Sequence, residues 1–302
     1  MTDGPAAAAL GELFRQRWRT AIGAIADAGP PAAQAWPPGA TPDIAGGVSA
    51  IARTRPAWRR HSPTHELRRL ALEAIAAAKS LIYLEQQYFT WPLAVEALAA
   101  RLAEPDGPEV VLICTEASPS YFDRITMDRA RSTALWRLQS GDVFGRFHAF
   151  APFADTGAPI IAHAKVMAID DSLIRISSAN FNNRSHGFDT ECELAIEAEA
   201  ESDQVALATV RDRLAGHWVG RSAQAVAELR IASGSLAQAL WALDRGERLR
   251  PLQAQRLGLA GEFIAEFHLG DPTDVGDSCR PARRRQLLVD ESRAIRLELA
   301  KG

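Results

Sequence analysis

The chain has 302 residues, 47% hydrophobic and 24% charged, with a net charge of −3. That length can bury a sizeable core, the composition is that of a globular protein, and the charge gives no global reason to expect nucleic acid as partner. No apolar run reaches the length of a transmembrane helix, and Cys114, Cys192 and Cys279 are too few and too widely spaced for a disulfide framework or a zinc site, which points to a reducing compartment.

Residues 5–27 read as a helix with Leu10, Leu13, Trp18, Ile22 and Ile25 roughly on one face, followed by the proline-rich linker PPAAQAWPPGATPD. VSAIA (48–52) reads as a strand. Ser62-Pro63 is a helix start, with Leu67, Leu70, Ala71, Ala74, Ile75 and Ala78 at helical spacing after it. LIYLE (81–85) predicts a strand, 92–104 a helix, EVVLICT (109–115) a buried strand, 123–139 a helix and 145–151 a strand. AHAKVMAI and LIRISS follow as two strands around a turn at Asp170-Asp171-Ser172. ECELAIEA (191–198) is a further strand, and Leu207, Val210, Leu214 and Trp218 mark a helix. Beyond 221 the pattern is mostly helical and then polar.

Strands alternating with helices predict an α/β fold, a mixed sheet flanked by helices with a mostly helical C-terminal tail. The divisions expected are 1–45 (helix and linker), 46–220 (the main domain) and 221–302 (a helical and irregular extension). The start, MTDGPAAAAL, has no basic region and reads as a poor signal peptide. A cytoplasmic or peripheral membrane location is the expectation. The arginine clusters RTRPAWRR (53–60) and RPARRR (280–285) read as solvated surface.

One segment, HAKVMAIDDSLIRISSAN (163–180), gathers chemistry. Alternation along a strand points His163 and Lys165 the same way. A two-residue hairpin centred on Asp171-Ser172 would pair Lys165 with Ser178 and His163 with Asn180, placing all four on one patch. Asp170 falls on the other face and reads as a turn or supporting residue. Imidazole, ammonium, hydroxyl and amide together suit a phosphate group: Lys165, Ser178 and Asn180 would hold nonbridging oxygens while His163 attacks phosphorus or moves a proton. The histidine then needs a carboxylate, and Glu191 and Glu193 on the next strand are the candidates. The chain contains only three lysines, Lys79, Lys165 and Lys301, against 31 arginines, so a lysine inside this cluster suggests a site that wants a compact ammonium. No His/Cys/Asp/Glu cluster has metal-ligand spacing, so no metal or other cofactor is expected. The other six histidines read as surface decoration.

These residues resemble the phospholipase D superfamily, whose HxKxxxxD and Gly-Ser-x-Asn pattern is matched by His163, Lys165, Asp170, Ser178 and Asn180, with Ser177 in place of the glycine. The resemblance puts the family's glutamate on Glu193, within ECELA, with Glu191 as runner-up. NFNNRS (180–185) is similar to the segment after the motif in phospholipases and cardiolipin synthases. IYLEQQYF (82–89) is similar to the strand before the second motif in two-motif members. GPAAAALGELFRQRW is similar to the helix after a first half.

The resemblance implies metal-independent phosphodiester cleavage or transphosphatidylation on phospholipid through a phosphohistidine, with His163 as acid/base. In-line displacement needs groups on both sides of phosphorus. With one His-x-Lys this chain supplies half a site, completed by a homodimer or a separate chain. The alternatives are a superfamily nuclease, disfavoured by the absence of a long basic stripe, and a catalytically silent phosphate-binding remnant.

Overall fold

The computed structural model describes residues 2–24, 37, 39–57, 62–258, 261–262, 264, 268 and 270–273. In chain order the elements are α1 (Gly4–Ile22), β1 (Val48–Arg55), β2 (Thr64–His65), α2 (Glu66–Ala77), β3 (Leu81–Gln86), α3 (Pro92–Leu102), β4 (Glu109–Cys114), α4 (Tyr121–Gly141) and β5 (Phe147–Pro152). They continue with β6 (Lys165–Ile169), β7 (Leu173–Ser177), α5 (Asn183–Gly187), β8 (Glu191–Glu197), α6 (Glu201–Val219), α7 (Ala223–Ser233), α8 (Leu236–Asp244) and β9 (Leu249–Pro251).

The nine strands form one mixed sheet in the order β2-β1-β8-β7-β6-β3-β4-β5-β9. The pairs β3/β4 and β4/β5 are parallel and the other pairs antiparallel. Strands β3 and β4 lie near its middle, and their continuous apolar runs are what burial on both faces demands. Period-two alternation divides them between two cores. Ile82, Leu84, Leu112 and Met167 pack with Ala71 and Ile75 of α2, Leu98 of α3 and Leu135 of α4. Tyr83, Val111, Val166 and Ile174 pack on the other face with Leu207 of α6, Val226 of α7 and Leu240 of α8. The result is helix, sheet, helix, in three layers. Helices α7 and α8 and strand β9 share this core and sheet.

Local chemistry sets the element ends. The Ser120, Ser222 and Ser235 hydroxyls cap α4, α7 and α8 by accepting backbone N–H bonds. Pro92 opens α3, where its missing N–H is harmless. Helix α2 begins at Glu66 rather than at Pro63, because Thr64 and His65 first pair with Arg55 and Thr54 of β1. Helix α1 ends at Ile22, with Gly23 in the left-handed conformation. The short helix α5 and the edge strand β9 were not expected from the sequence. Most of the proline-rich linker, RPARRR and Cys279 lie outside the described residues. Among the described residues no helix is long and apolar enough to cross a membrane.

Candidate active site

The candidate site lies beyond the carboxyl ends of β3 and β4, where open α/β sheets place their ligands. Gln86, the last residue of β3, pairs with Lys165, the first of β6. His163 stands outside the ladder, exposed, in the irregular segment that leads into β6. That segment is anchored by its neighbour: the Ala162 N–H donates to Thr115 Oγ1 at 3.1 Å, in the loop after β4. Strand alternation therefore does not set the direction of the His163 side chain.

The hairpin register differs by one residue from the expectation. Val166 pairs with Ile176, Met167 with Arg175, Ala168 with Ile174 and Ile169 with Leu173. The connection is a three-residue loop, Asp170–Ser172, rather than a two-residue turn, and Asp170 adopts φ 49°. The cause lies outside the hairpin. The Asp170 carboxylate accepts the Lys79, Ser80 and Leu81 N–H groups and the Ser80 hydroxyl at 2.8–2.9 Å. Burial works to raise the Asp170 carboxyl, but those donors outweigh it and hold its pKa below the ordinary aspartate value. Asp170 is thus a turn residue that pins the hairpin to the start of β3.

In this register Ser178 does not face Lys165. Strand β7 ends at Ser177, and Ser178 turns toward β8 instead. Its hydroxyl accepts the Cys192 N–H at 3.0 Å and donates its one proton to Glu191 Oε2. Ser185 repeats the device from α5: its hydroxyl accepts the Asn180 N–H at 3.2 Å and donates to Glu191 Oε1 at 2.7 Å. Both oxygens of Glu191 are held by hydroxyls, and each hydroxyl is oriented by a backbone N–H that leaves it no other proton to give. The Ser178 hydroxyl, expected to hold phosphate, is engaged with Glu191.

Glu193 is placed elsewhere. Its carboxylate accepts both arms of the Arg175 guanidinium at 2.7 and 2.8 Å, and the side chains of the pair are 3% and 2% exposed. Among the described residues it makes no hydrogen bond to His163, and the carboxylate engaged by the Ser178 and Ser185 hydroxyls is Glu191. Glu191 and Glu193 share a strand face, and alternation alone could not separate them. What separates them is Arg175, a buried cation that takes the nearer carboxylate.

Lys165 is 8% exposed and donates to Gln87 Oε1 at 3.1 Å and to the His163 carbonyl at 2.9 Å. Burial pushes its pKa below the ordinary lysine value, and the negative charge of Glu191 works against that shift. Asn180 Oδ1 is buried without a hydrogen-bond partner among the described residues. His163, Lys165, Gln87, Glu191, Ser178, Ser185 and Asn180 are linked through these contacts into one cluster.

Several supporting residues escaped the sequence reading. Arg17 of α1 donates to the Glu191 carbonyl at 2.9 Å, so the N-terminal helix touches the site strand. His186 is not surface decoration: it is 2% exposed and stacks on Trp91 with ring centroids 3.8 Å apart. Asp271, 1% exposed, accepts from the Thr90 hydroxyl and the Asn183 and Arg184 N–H groups at 2.9–3.0 Å. It ties the loop after β3 to the helix after Asn180. Nothing in the local sequence around residue 271 announces this, because its partners are up to 181 positions away.

Among solved structures, the chain is similar to Nuc from Salmonella typhimurium, described as a phospholipase D family member. That match has 21% identity and a TM-score of 0.42, covering 58% of this chain and 94% of Nuc. It is also similar to phosphatidylserine synthase from Haemophilus influenzae Rd KW20, at 13% identity and a TM-score of 0.44. There the match covers 82% of this chain but only 46% of the synthase. A search of curated protein sequences found no match. The family model for the cardiolipin synthase, phospholipase D-like domain matches residues 71–211, the segment that carries His163, Lys165, Ser178, Asn180 and Glu191. On that match and the motif it contains, residues 71–211 form a phospholipase D-like domain.

Proposed function

We propose that this chain is one half-site of a phospholipase D-type enzyme that cleaves or exchanges a phosphodiester of a phospholipid through a phosphohistidine. The observation that carries the reading is the Lys165 ammonium. It is largely buried, is hydrogen-bonded to the His163 carbonyl, and among the described residues uses two of its three donors on protein acceptors. The third is available to a nonbridging phosphate oxygen, and a positive charge held there stabilises the charge that builds on phosphorus during displacement. By family resemblance Asn180 contributes its amide. The exposed His163 ring is free to take or give a proton, or to bond phosphorus. Glu191, fixed by two hydroxyls, is the carboxylate of the site.

One histidine cannot stand on both sides of phosphorus. The second therefore comes from another copy of this chain or from a first half, whether joined to it or separate. By family resemblance His163 is the acid/base that protonates the leaving alcohol and then activates water or an acceptor alcohol. The substrate class follows from the family model's cardiolipin synthase description and from a net charge of −3, which disfavours a polyanion such as nucleic acid. The test is turnover of a chromogenic phosphodiester and of phospholipid vesicles by the active assembly. His163→Ala is expected to abolish both, and EDTA to leave both unchanged. Loss on chelation with recovery on adding a divalent metal would reject the mechanism. Cleavage of single-stranded DNA without cleavage of phospholipid would reassign the substrate.

A further inference from the structure

Gln87 immediately follows β3 and is 9% exposed. Its position is fixed from two sides: its carbonyl accepts the Cys114 thiol at 3.7 Å, and the hydroxyl of Tyr88, the next residue, donates to Asp123 at 3.0 Å. Its side chain meets Lys165, with Nζ to Oε1 at 3.1 Å. An ammonium has donors only, so the amide must turn its oxygen toward it. The orientation of the whole amide is then set. Nε2 carries two N–H donors, and neither meets an acceptor among the described residues. A planar donor group held rigidly beside a cation, with no acceptor of its own, is what an oxyanion receptor requires.

We infer that Gln87 is a substrate-contacting residue of this site, with Oε1 steering the Lys165 ammonium and Nε2 donating to a nonbridging oxygen of the bound phosphate. The inference rests on the phosphodiester reading given above. The residue type matters. A glutamate here would still hold Lys165, but it would turn the ammonium's charge toward itself and present no donor. Glutamine orients the lysine without neutralising it and adds a second donor next to the first. Gln86 cannot substitute, because its Oε1 accepts the Phe181 N–H at 3.1 Å and so braces the chain after Asn180.

Binding of inorganic phosphate to the full chain, followed by titration calorimetry, tests this without requiring turnover. Removing one hydrogen bond to a charged group is expected to weaken binding about ten-fold in Gln87→Leu. Gln87→Glu, which keeps an acceptor for Lys165 and loses the donors, is expected to weaken it at least as much. Lys165→Ala is expected to weaken it by about a hundred-fold, since a charge-assisted contact is lost. Thermal melting checks that each variant is folded, and if Gln87→Leu does not fold, Gln87→Glu gives the decision. Phosphate binding by Gln87→Glu equal to that of the unmodified chain overturns the role of Gln87 while leaving the site intact. Phosphate binding that is absent from the unmodified chain, or unaffected by Lys165→Ala, overturns the phosphodiester reading itself.

Discussion

Glu191 and Glu193 sit two positions apart on one strand face and do different physical work. Glu193 neutralises a guanidinium sealed in the core, and removing it leaves Arg175 buried and unpaired. Glu193→Ala is therefore expected to lose about 3–5 kcal/mol of stability in urea unfolding. Glu191→Gln keeps the shape and should unfold close to the parent, yet it should lower kcat of the active assembly by about 100-fold. The reverse pattern, with stability lost at 191 and turnover at 193, would return the catalytic carboxylate to Glu193. His186 supplies a second test at this scale. Its Nδ1 lies 3.2 Å from the Asn182 carbonyl, so Nδ1 carries the proton and donates. Nε2 is buried without a partner among the described residues. Burial, reinforced by the Arg175 charge, lowers its pKa from 6.5 to about 3. Above pH 6.5 the ring is neutral in both folded and unfolded chains, and its contribution to stability is complete. As the pH falls from 6.5 toward 3, the unfolded chain takes up a proton that the folded chain refuses, and stability is lost. Unfolding free energies from urea titrations across that window should fall by up to about 1.4 kcal/mol per pH unit from this residue. His186→Phe, which preserves stacking on Trp91, should remove that component.

At the scale of elements, the site is assembled by short connections rather than by the sheet alone. Two strand ends bring Lys165 and Gln86 together, but α5 supplies Ser185, and α5 itself is held by Asp271. The Thr90 and Trp91 N–H groups both donate to the Phe181 carbonyl, and Phe89 stacks on Phe181. Asp271 closes the same seam from the far end of the chain. Asp271→Ala removes the acceptor of the Thr90 hydroxyl and of the Asn183 and Arg184 N–H groups, a loss of about 2–3 kcal/mol. Its second effect should appear in kcat rather than KM, because what loosens is the placement of Asn180 and Glu191. Urea unfolding and steady-state kinetics on the same variant check both parts. Unchanged kcat with lowered stability would confine Asp271 to a structural role.

For the whole molecule, the deciding feature is that one motif provides one histidine. Helix α1 has no buried residue, although Phe14, Trp18 and Ile22 lie along it at 59%, 42% and 60% exposure. An apolar stripe left open in this way commonly marks an interface, and Arg17 on the same helix reaches the Glu191 strand. Sedimentation is expected to show self-association, or association with a first-half chain where one is supplied. Phe14→Ser with Trp18→Ser should weaken that association and reduce turnover in parallel. A strictly monomeric chain with full His163-dependent turnover would overturn the half-site reading.

The sequence by itself determined the layered α/β fold and singled out His163, Lys165 and Asn180 as candidate site residues. Periodicity and residue type are local properties, and a strand's buried run or a helix's apolar face can be read without knowing its neighbours. The hairpin register was decided by tertiary structure, because it depends on Asp170 taking up three N–H groups from residues 79–81, about 90 positions away. Which of Glu191 and Glu193 pairs with the buried Arg175 was decided in the same way. Parity along the strand is identical for both, and only the place of Arg175 in the core separates them. Ser185, Gln87, His186 and Asp271 were illegible for the same reason. A polar side chain declares its role through its partners, and theirs come from other elements of the fold.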